Sequence, residues 1–332
     1  MRVLVVTNFE PDEAAPHRGR WVVDQVEALR DLGVKVELMS FPPGKGNYLP
    51  AAREIRRRLA SGSFDLVHAH YGLVGMSAWL ARAKPLIVTY HGTDVRHRQV
   101  GVLSRFLAGR IALTAPASRA LLFPEGGRKG IGGRPGRIAI LPCGPDLDRF
   151  EPVPMTAARQ KLGLEPDGRY LLFPADPSRP EKRAGLARSL AERTGASLLE
   201  GGRIDPREMP LWMSAANAVV ITSLYEGFGL ACLEALACRR PVLTTPVGVA
   251  PFATAGLDGV LCDEFDLDRW GRFLDPVLTG SLCEVPDGPM AAGKFGARRM
   301  AERVLVAYRE ILDDPDWQSD RASGKDWPSG EG

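Results

Sequence analysis

The sequence lacks long apolar runs, paired cysteines and a strong excess of charge, and each absence excludes a class of protein. No apolar run approaches the length of a membrane-spanning helix. The apolar stretch that follows Met1 is too short for the core of a signal peptide and predicts a first β-strand. Five cysteines, none in a C-x-x-C pair, predict reduced thiols instead of a zinc or redox centre. Together these features predict a cytoplasmic protein.

The charge balance and the glycine pattern exclude two further classes. Lys and Arg number 43 against 40 Asp and Glu, and a formal net charge of +3 is too small to indicate a nucleic-acid-binding protein. A nicotinamide-binding domain would carry G-x-G-x-x-G after its first strand. The corresponding segment here, NFEPDEAAPHRG, has a single glycine. The sequence therefore argues against a dehydrogenase.

The sequence does contain two series of short apolar runs that alternate with helical patterns. The first series extends from Val3–Val6 to Leu86–Thr89, and the second from Tyr170–Phe173 to Gly259–Cys262. Such alternation predicts an α/β fold of parallel strands and crossover helices, in two units joined by a linker at Pro142–Pro154. Ligands are expected at the carboxyl ends of the strands.

Two glutamates, Glu226 and Glu234, lie in the segment SLYEGFGLACLEALACRRP, where an apolar strand runs through a glycine-rich turn into a helix. Gly227 and Gly229 let the backbone approach a ligand, and the first N–H groups of the following helix point toward it. A phosphate suits this turn, with the carboxylates accepting hydrogen bonds from hydroxyls on either side. In the alternative interpretation, Glu226 is a loop carboxylate and Glu234 a solvated helix residue.

Three histidines and one basic run also have two interpretations each. His68 and His70 alternate at one predicted strand end, and His91 follows the next strand. A metal site is conceivable, but no carboxylate set accompanies the histidines, so we favour structural or substrate-facing roles and assign no metal ligand. The run Arg53–Arg58 predicts a solvated helix face, with contact to anionic lipid head groups as the alternative.

Six segments, in order along the chain, resemble glycosyltransferase family 4. They are HRGRWVVDQVEALRDLGVKVEL, FDLVHAHYGLVG, PLIVTYHGTD, ILPCGPDLDRFEP, SRPEKR and SLYEGFGLACLEALACRRPVLTTPVG. The resemblance implies the GT-B architecture, in which two Rossmann-like domains face each other across a cleft. It implies an acceptor-side domain at 1–150, a nucleotide-sugar-binding domain at 151–295, a helix at 296–312 packing back toward the N-terminal domain, and a disordered tail at 313–332.

The resemblance also implies a reaction. A metal-independent hexosyltransferase would move a sugar from a nucleotide-diphosphate donor to an acceptor hydroxyl with retention of configuration, in cell-surface polysaccharide or glycolipid synthesis. His91 and Glu226 would be catalytic, and Asp94 would help to position substrate. Cations would stabilise the charge on the leaving diphosphate in place of a metal. The donor-binding residues implied are Gly19, Arg179, Lys182, Gly227, Phe228, Gly229, Leu230 and Glu234.

The expected partners follow from the same resemblance. No cofactor is expected, because the nucleotide sugar is a substrate, and a UDP-sugar is favoured over a GDP-sugar. The acceptor is a carbohydrate or a lipid-linked molecule, so peripheral contact with the inner face of the cell membrane is expected, and no nucleic acid is. Two alternatives stay open: a nucleotide-sugar epimerase of GT-B architecture, and a degenerate, non-catalytic transferase that acts as an assembly partner.

Overall fold

Two parallel sheets of five strands each form the framework of the described chain. The computed structural model describes residues 1–9, 18–123, 129–134 and 136–314, so the predicted tail lies outside these ranges from residue 315 onward. The strands are β1 (Arg2–Thr7), β2 (Lys35–Ser40), β3 (Leu66–His70), β4 (Leu86–Tyr90), β5 (Leu113–Pro116), β6 (Tyr170–Phe173), β7 (Ser197–Glu200), β8 (Ala218–Ile221), β9 (Val242–Thr244) and β10 (Val260–Cys262).

Helices follow most strands and return the chain to the end of the sheet where the next strand begins, as parallel pairing requires. They are α1 (Arg20–Asp31), α2 (Tyr48–Ser61), α3 (Gly72–Leu80), α4 (Thr93–Arg96), α5 (Arg98–Ala108), α6 (Met155–Leu162), α7 (Ala184–Thr194), α8 (Met209–Ala215), α9 (Leu230–Ala237), α10 (Ala250–Ala253), α11 (Leu267–Leu278), α12 (Gly288–Gly293) and α13 (Ala297–Asp313). None of the helices in the described part of the chain combines the length and the apolar character needed to cross a bilayer.

The two sheets share one topology. The strand orders are β2-β1-β3-β4-β5 and β7-β6-β8-β9-β10, so each sheet places its second strand at one edge and its first strand beside its third. The order therefore reverses between β1 and β3 in one sheet, and between β6 and β8 in the other. Open α/β sheets bind ligands at such switch points, outside the carboxyl ends of the strands. The predicted α/β fold with parallel strands is confirmed.

Both faces of the central strands of each sheet are buried, which explains their near-continuous apolar sequences. In β6, successive residues enter different apolar clusters: Leu172 packs with Val219, and Leu171 packs with Val220 and Trp270. All five side chains are fully buried. Each such burial stabilises the fold by about 1.5–3 kcal/mol, and together they hold the strand ends in place.

The chain divides into two compact units. Among the described residues, unit 1 contains 1–9, those between 18 and 144, and 300–314, and unit 2 contains 145–299. The chain passes from unit 1 to unit 2 between Gly144 and Pro145, inside the predicted linker. From Met300 onward α13 belongs to unit 1, where the Tyr308 hydroxyl lies 2.7 Å from Nδ1 of His68 in β3.

Candidate functional site

The glycine-rich turn after β8 is held by a second turn that packs against it. Gly229 has φ of +99°, a conformation that favours glycine, and α9 begins at the next residue. The carbonyl of Phe228 accepts a hydrogen bond from the Val249 N–H at 2.7 Å. A Cβ atom on Gly248 would overlap the Phe228 oxygen. The backbone of 227–230 is therefore fixed by close approach of 247–249.

Lys182 and Glu226 form an ion pair at the switch point of unit 2. Lys182 Nζ lies 2.6 Å from Glu226 Oε1, and the Ser223 hydroxyl donates to the same oxygen at 2.7 Å. The side chains of Lys182 and Glu226 are only 11% and 16% exposed. Burying either charge alone would cost several kcal/mol, and the partner compensates that cost. An anion that binds beside Lys182 can replace Glu226 as the partner of the lysine charge and so release the Glu226 carboxylate.

The residue after Lys182 fixes its position. Arg183 adopts φ of +53° immediately before α7. Its guanidinium donates to the carbonyl of Thr222 at 2.6 Å and to that of Ser223 at 3.2 Å. The Thr222 hydroxyl donates in return to the Lys182 carbonyl at 2.8 Å. These bonds join the segment after β6 to the end of β8, so Lys182 and Glu226 are presented together.

Two other predicted donor residues of unit 2 have different surroundings. Arg179 donates two hydrogen bonds to Glu181 Oε1, from Nε at 2.8 Å and from Nη2 at 2.5 Å, and about half of its side chain is exposed. It would have to leave Glu181 to reach a phosphate. Glu234 is partly buried in α9, one turn after Leu230.

A glycine pair borders the same sheet edge after β7. A Cβ atom on Gly201 would lie 2.7 Å from the Pro174 oxygen, and one on Gly202 would lie 2.8 Å from Asp176 Cα. Both glycines thus permit close packing of the chain after β7 against the loop that follows β6, the loop that leads to Lys182.

In unit 1, an imidazole cluster occupies the carboxyl ends of β3 and β4. His91 Nε2 lies 3.1 Å from His70 Nδ1, and the two rings stack with their centroids 5.3 Å apart. His68 also stacks on His70, with ring centroids 4.4 Å apart. Phe9, which follows β1, places its ring edge-on to His91 at 5.5 Å. The switch point of unit 1 is therefore lined by aromatic rings.

Burial keeps this cluster uncharged. Desolvation lowers the pKa of His68 to about 3 and that of His91 to about 4, and it holds the pKa of His70 well below its usual value. The three imidazoles are consequently neutral at pH 7. Desolvation raises the pKa of the Cys143 thiol, whose sulfur lies 3.8 Å from His70 Nδ1.

Asp94 holds the backbone around His91. Its carboxylate accepts hydrogen bonds from the N–H groups of Gly92 at 2.8 Å, His91 at 3.0 Å and Gly72 at 3.0 Å. The residue is fully buried, and desolvation raises its pKa to about 6 despite those bonds. Asp94 thus orients the backbone of His91.

Gly19 lies against the same cluster. It has φ of +76° immediately before α1, and a Cβ atom there would overlap the Phe9 carbonyl oxygen. Glycine is required for this approach, and the approach positions the Phe9 ring on His91. Within unit 1 the structure therefore brings Gly19, His91 and Asp94 into one neighbourhood.

Sequence reasoning missed three residues of these clusters. Ser223 and Arg183 were detectable in principle, because each directly adjoins a predicted strand end or site residue. Cys143 carried no local signal, since it lies 73 residues along the chain from His70, whose ring it contacts. Pairing of β3 with β4 and the return of the chain after β5 bring it there.

Both parts of the chain are similar to known glycosyltransferases. Residues 1–144 match a family model described as a glycosyl transferase 4-like domain, and residues 177–278 match one described as glycosyl transferases group 1. A D-inositol 3-phosphate glycosyltransferase of Thermobispora bispora is 30% identical over 313 residues, covering 76% of this chain and 72% of the relative. The protein of that name from Mycobacterium tuberculosis is 25% identical, covering 80% of this chain, which spans 65% of that relative's length.

Solved structures show the same fold. Sucrose-phosphate synthase from Thermosynechococcus elongatus superposes with a TM-score of 0.72 at 19% identity, covering 94% of this chain and all of the other. Anabaena HepE in complex with UDP and glucose superposes with a TM-score of 0.69 at 18% identity, covering 93% of this chain and all of the other.

Proposed function

The chain belongs to glycosyltransferase family 4, with the GT-B architecture, and from this membership we propose that it is a retaining, metal-independent hexosyltransferase that uses a UDP-sugar. The predicted family and the prediction of two Rossmann-like domains are confirmed. Membership favours sugar transfer over the epimerase alternative. The observation that carries the proposal is the Lys182–Glu226 pair at the switch point of unit 2.

The pair suggests how donor binding and bond cleavage are linked. A diphosphate oxygen would replace Glu226 as the partner of Lys182, and the free N–H groups at the start of α9 would face the same anion. Negative charge builds on the leaving diphosphate as the sugar–oxygen bond breaks, so these groups bind the transition state more tightly than the ground state. Arg179 would add a second cation after leaving Glu181.

The released carboxylate then has a role of its own. Glu226, still hydrogen-bonded by Ser223, would accept hydrogen bonds from hydroxyls of the donor sugar. Gly227, Phe228 and Gly229 would leave space for that sugar, and Glu234 would accept from the ribose of the nucleotide.

Unit 1 would supply the acceptor-side residues. A neutral imidazole at His91 can accept or donate a hydrogen bond to a hydroxyl without bringing a charge to the sugar. Asp94 would act through the backbone that it holds, as a positioning residue. Gly19 would serve indirectly as well, by allowing Phe9 to pack on His91.

The preference for UDP has support from the neighbours alone. HepE, of the same fold, was solved in complex with UDP and glucose. The relatives named D-inositol 3-phosphate glycosyltransferase have a small polyol phosphate in their name, which gives no support to a larger acceptor. The glycolipid or polysaccharide acceptor is our proposal from the sequence resemblance.

We further propose that unit 1 contacts an anionic membrane through α3 and α5. Trp79 and Phe106 pack edge to face with ring centroids 6.0 Å apart, and they are 36% and 44% exposed. Leu103 is 43% exposed on the same helix as Phe106. Arg110 lies over the Phe106 ring, and Arg56 donates to a backbone carbonyl at the end of α3. Exposed aromatic side chains beside arginines suit an interface with anionic lipids.

The donor assignment is tested by thermal unfolding with UDP-, GDP- and ADP-sugars, combined with measurement of nucleotide release. A donor at 100 times its dissociation constant stabilises the protein by about 2.7 kcal/mol, which is a shift of several degrees. A larger shift with UDP-sugars supports the proposal, and a larger shift with GDP- or ADP-sugars refutes the preference for UDP. Absence of any shift refutes the donor site.

Product analysis separates the remaining alternatives. A transferase releases nucleotide, whereas an epimerase yields a new nucleotide sugar without releasing it. A non-catalytic assembly partner would bind donor without turning it over. Donor hydrolysis that is lost in Glu226→Gln would exclude that third possibility.

A further inference from the structure

Three potential metal ligands converge at the switch point of unit 1. His70 Nδ1, His91 Nε2 and Cys143 Sγ all lie within 4.8 Å of one another. We propose that these atoms bind a thiophilic divalent cation of the zinc class, and that its occupation withdraws His91 from sugar transfer. The sequence alone indicates no metal ligand here, because no carboxylate set accompanies the histidines, and it does not connect Cys143 with them.

The spacing of the three atoms suits a tetrahedral ion. Zinc binds imidazole nitrogen at about 2.0–2.1 Å and thiolate sulfur at about 2.3 Å, so tetrahedral ligands are separated by about 3.3–3.6 Å. The observed separations are 3.1 Å from His70 Nδ1 to His91 Nε2, and 3.8 Å from His70 Nδ1 to Cys143 Sγ. Shifts of a few tenths of an ångström would bring these two pairs to the required spacing, and the third pair, His91 with Cys143, lies within 4.8 Å. The fourth position is left for water.

The ligand types match the same class of cation. Two imidazoles and one thiolate are borderline to soft donors, which select zinc and its neighbours over magnesium or calcium. The two imidazoles are already neutral, the form that binds metal. On binding, the thiol of Cys143 loses its proton to solvent. The proton shared between His70 and His91 moves to the other nitrogen of its own ring, so one proton is released for each cation bound.

The surroundings hold the ligands in place. His68 stacks on His70 and is itself fixed by hydrogen-bond contacts of 2.7 Å with Tyr308 and with Thr89. Asp94 holds the backbone of His91. Among the described residues, the hydrogen-bond contacts of His70 Nδ1 are with the two other ligands. Ligands fixed in this way lose little freedom on binding.

The effect on activity has a simple physical origin. His91 Nε2 faces His70 Nδ1, so a hydroxyl would meet the other ring nitrogen, Nδ1. A cation on Nε2 leaves the proton of the neutral ring on Nδ1, which can then no longer accept a proton from that hydroxyl. The inhibitory part of the inference rests on the proposed function, whereas the binding part does not. The two parts are therefore measured separately.

Binding is tested with cobalt(II) as a spectroscopic substitute for zinc, in a Cys283→Ser background that removes the exposed thiol. The expected result is a thiolate-to-cobalt charge-transfer band with tetrahedral d–d bands at one equivalent, displaced by zinc. Cys143→Ser should remove the charge-transfer band and weaken zinc binding at least about 100-fold, since loss of a supporting residue alone costs about 10–100-fold. Cys238→Ser, a buried thiol of unit 2, is the matched control.

Two further measurements test the ligand set and the effect on activity. X-ray absorption of the zinc-loaded protein, retaining all its ligands, should show one sulfur and two imidazole nitrogens, which settles the ligand set even if Cys143→Ser fails to fold. Absence of sulfur, or equal binding by Cys143→Ser, overturns the site. Inhibition of nucleotide release by zinc but not magnesium, with less inhibition in Cys143→Ser, supports the role of His91. Binding without inhibition overturns that role and leaves the donor tests unaffected.

Discussion

Mild acid should destabilise unit 1 through its imidazole cluster. The folded pKa values of His68 and His91 are depressed to about 3 and about 4, and that of His70 is also well below normal. Histidines in the unfolded chain have a pKa of about 6.5 and therefore bind protons first as pH falls. Their contribution to stability is fully present above pH ~6.5 and is lost as pH falls toward the folded values.

Asp94 opposes this effect. Its pKa is raised to about 6 in the folded chain, whereas an unfolded aspartate titrates at about 3.9. The folded state therefore binds the extra proton between these values, so the contribution of Asp94 is present at low pH and is lost as pH rises through about 6. Within the window from pH 7 to pH 5, protonation of Asp94 stabilises unit 1.

The net loss of unfolding free energy between pH 7 and pH 5 is large compared with the total stability of a typical protein. Between pH 7 and pH 5, protonation of the unfolded chain at His68 and at His91 removes about 2 kcal/mol of stability each, and Asp94 offsets about 1 kcal/mol of that total. The net loss from these three groups is about 3 kcal/mol, and His70 adds to it in the same direction, against a typical total stability of about 5–15 kcal/mol. Acidification to pH 5 should therefore remove a large share of the stability of unit 1.

Scanning calorimetry and urea unfolding across this pH range provide the assay, with hydrogen exchange in β3 and β4 identifying the unit that opens. His91→Asn should reduce the stability lost between pH 7 and pH 5 by about 2 kcal/mol, since the contribution of one histidine is removed. His97→Asn, at an exposed position outside the cluster, should leave the pH dependence in place. A stability that is constant from pH 7 to 5 would refute the reasoning.

Further predictions concern the donor turn of unit 2. Lys182→Ala should raise the dissociation constant for UDP about 10- to 150-fold, equivalent to the ~1.5–3 kcal/mol of a charged hydrogen bond, whereas exposed Lys161→Ala should not; isothermal titration calorimetry measures both. Gly248→Ala should destabilise the chain by more than 1 kcal/mol and weaken UDP binding, because its Cβ would overlap the Phe228 carbonyl. Gly256 also has a positive φ but open space around it, so Gly256→Ala should lower stability without weakening UDP binding. Equal UDP affinities of the Gly248→Ala and Gly256→Ala variants would contradict this explanation.

The fold could be predicted from the sequence because its signals are local. Each strand is a short apolar run, and each connection is long enough for a helix, so parallel sheets follow from the chain itself. The break between Gly144 and Pro145 lies within a segment of Pro, Gly and Asp, which is unsuited to a buried element. The same local character made the turn at 226–230 visible, since positive φ and close backbone approach require glycine.

The rest of the site depends on contacts between distant segments. His68 meets Tyr308 across 240 residues, and Cys143 meets His70 across 73, and neither distance leaves a pattern along the chain. Arg179 illustrates a different limit. A motif predicts a phosphate ligand, but the carboxylate of Glu181, two residues away, competes for the same guanidinium. Such competition depends on rotamers and on the 3-10 turn at 180–182, which only coordinates reveal.

The shared topology of the two units sharpens the assignment of their roles. Both sheets create a crevice between their first and third strands, so the difference in chemistry arises from the residues placed there. Unit 2 places a compensated charge pair at this point, Lys182 with Glu226, which an incoming anion can separate. Unit 1 places imidazoles whose pKa values are depressed by burial. The charge pair of unit 2 can stabilise a phosphate. In unit 1, His68, His70 and His91 are uncharged at pH 7 and offer a phosphate no cation, but they suit a neutral hydroxyl. We therefore propose that unit 2 binds the nucleotide diphosphate and that unit 1 supplies the hydroxyl chemistry, and protonation of the imidazoles in acid would remove that distinction.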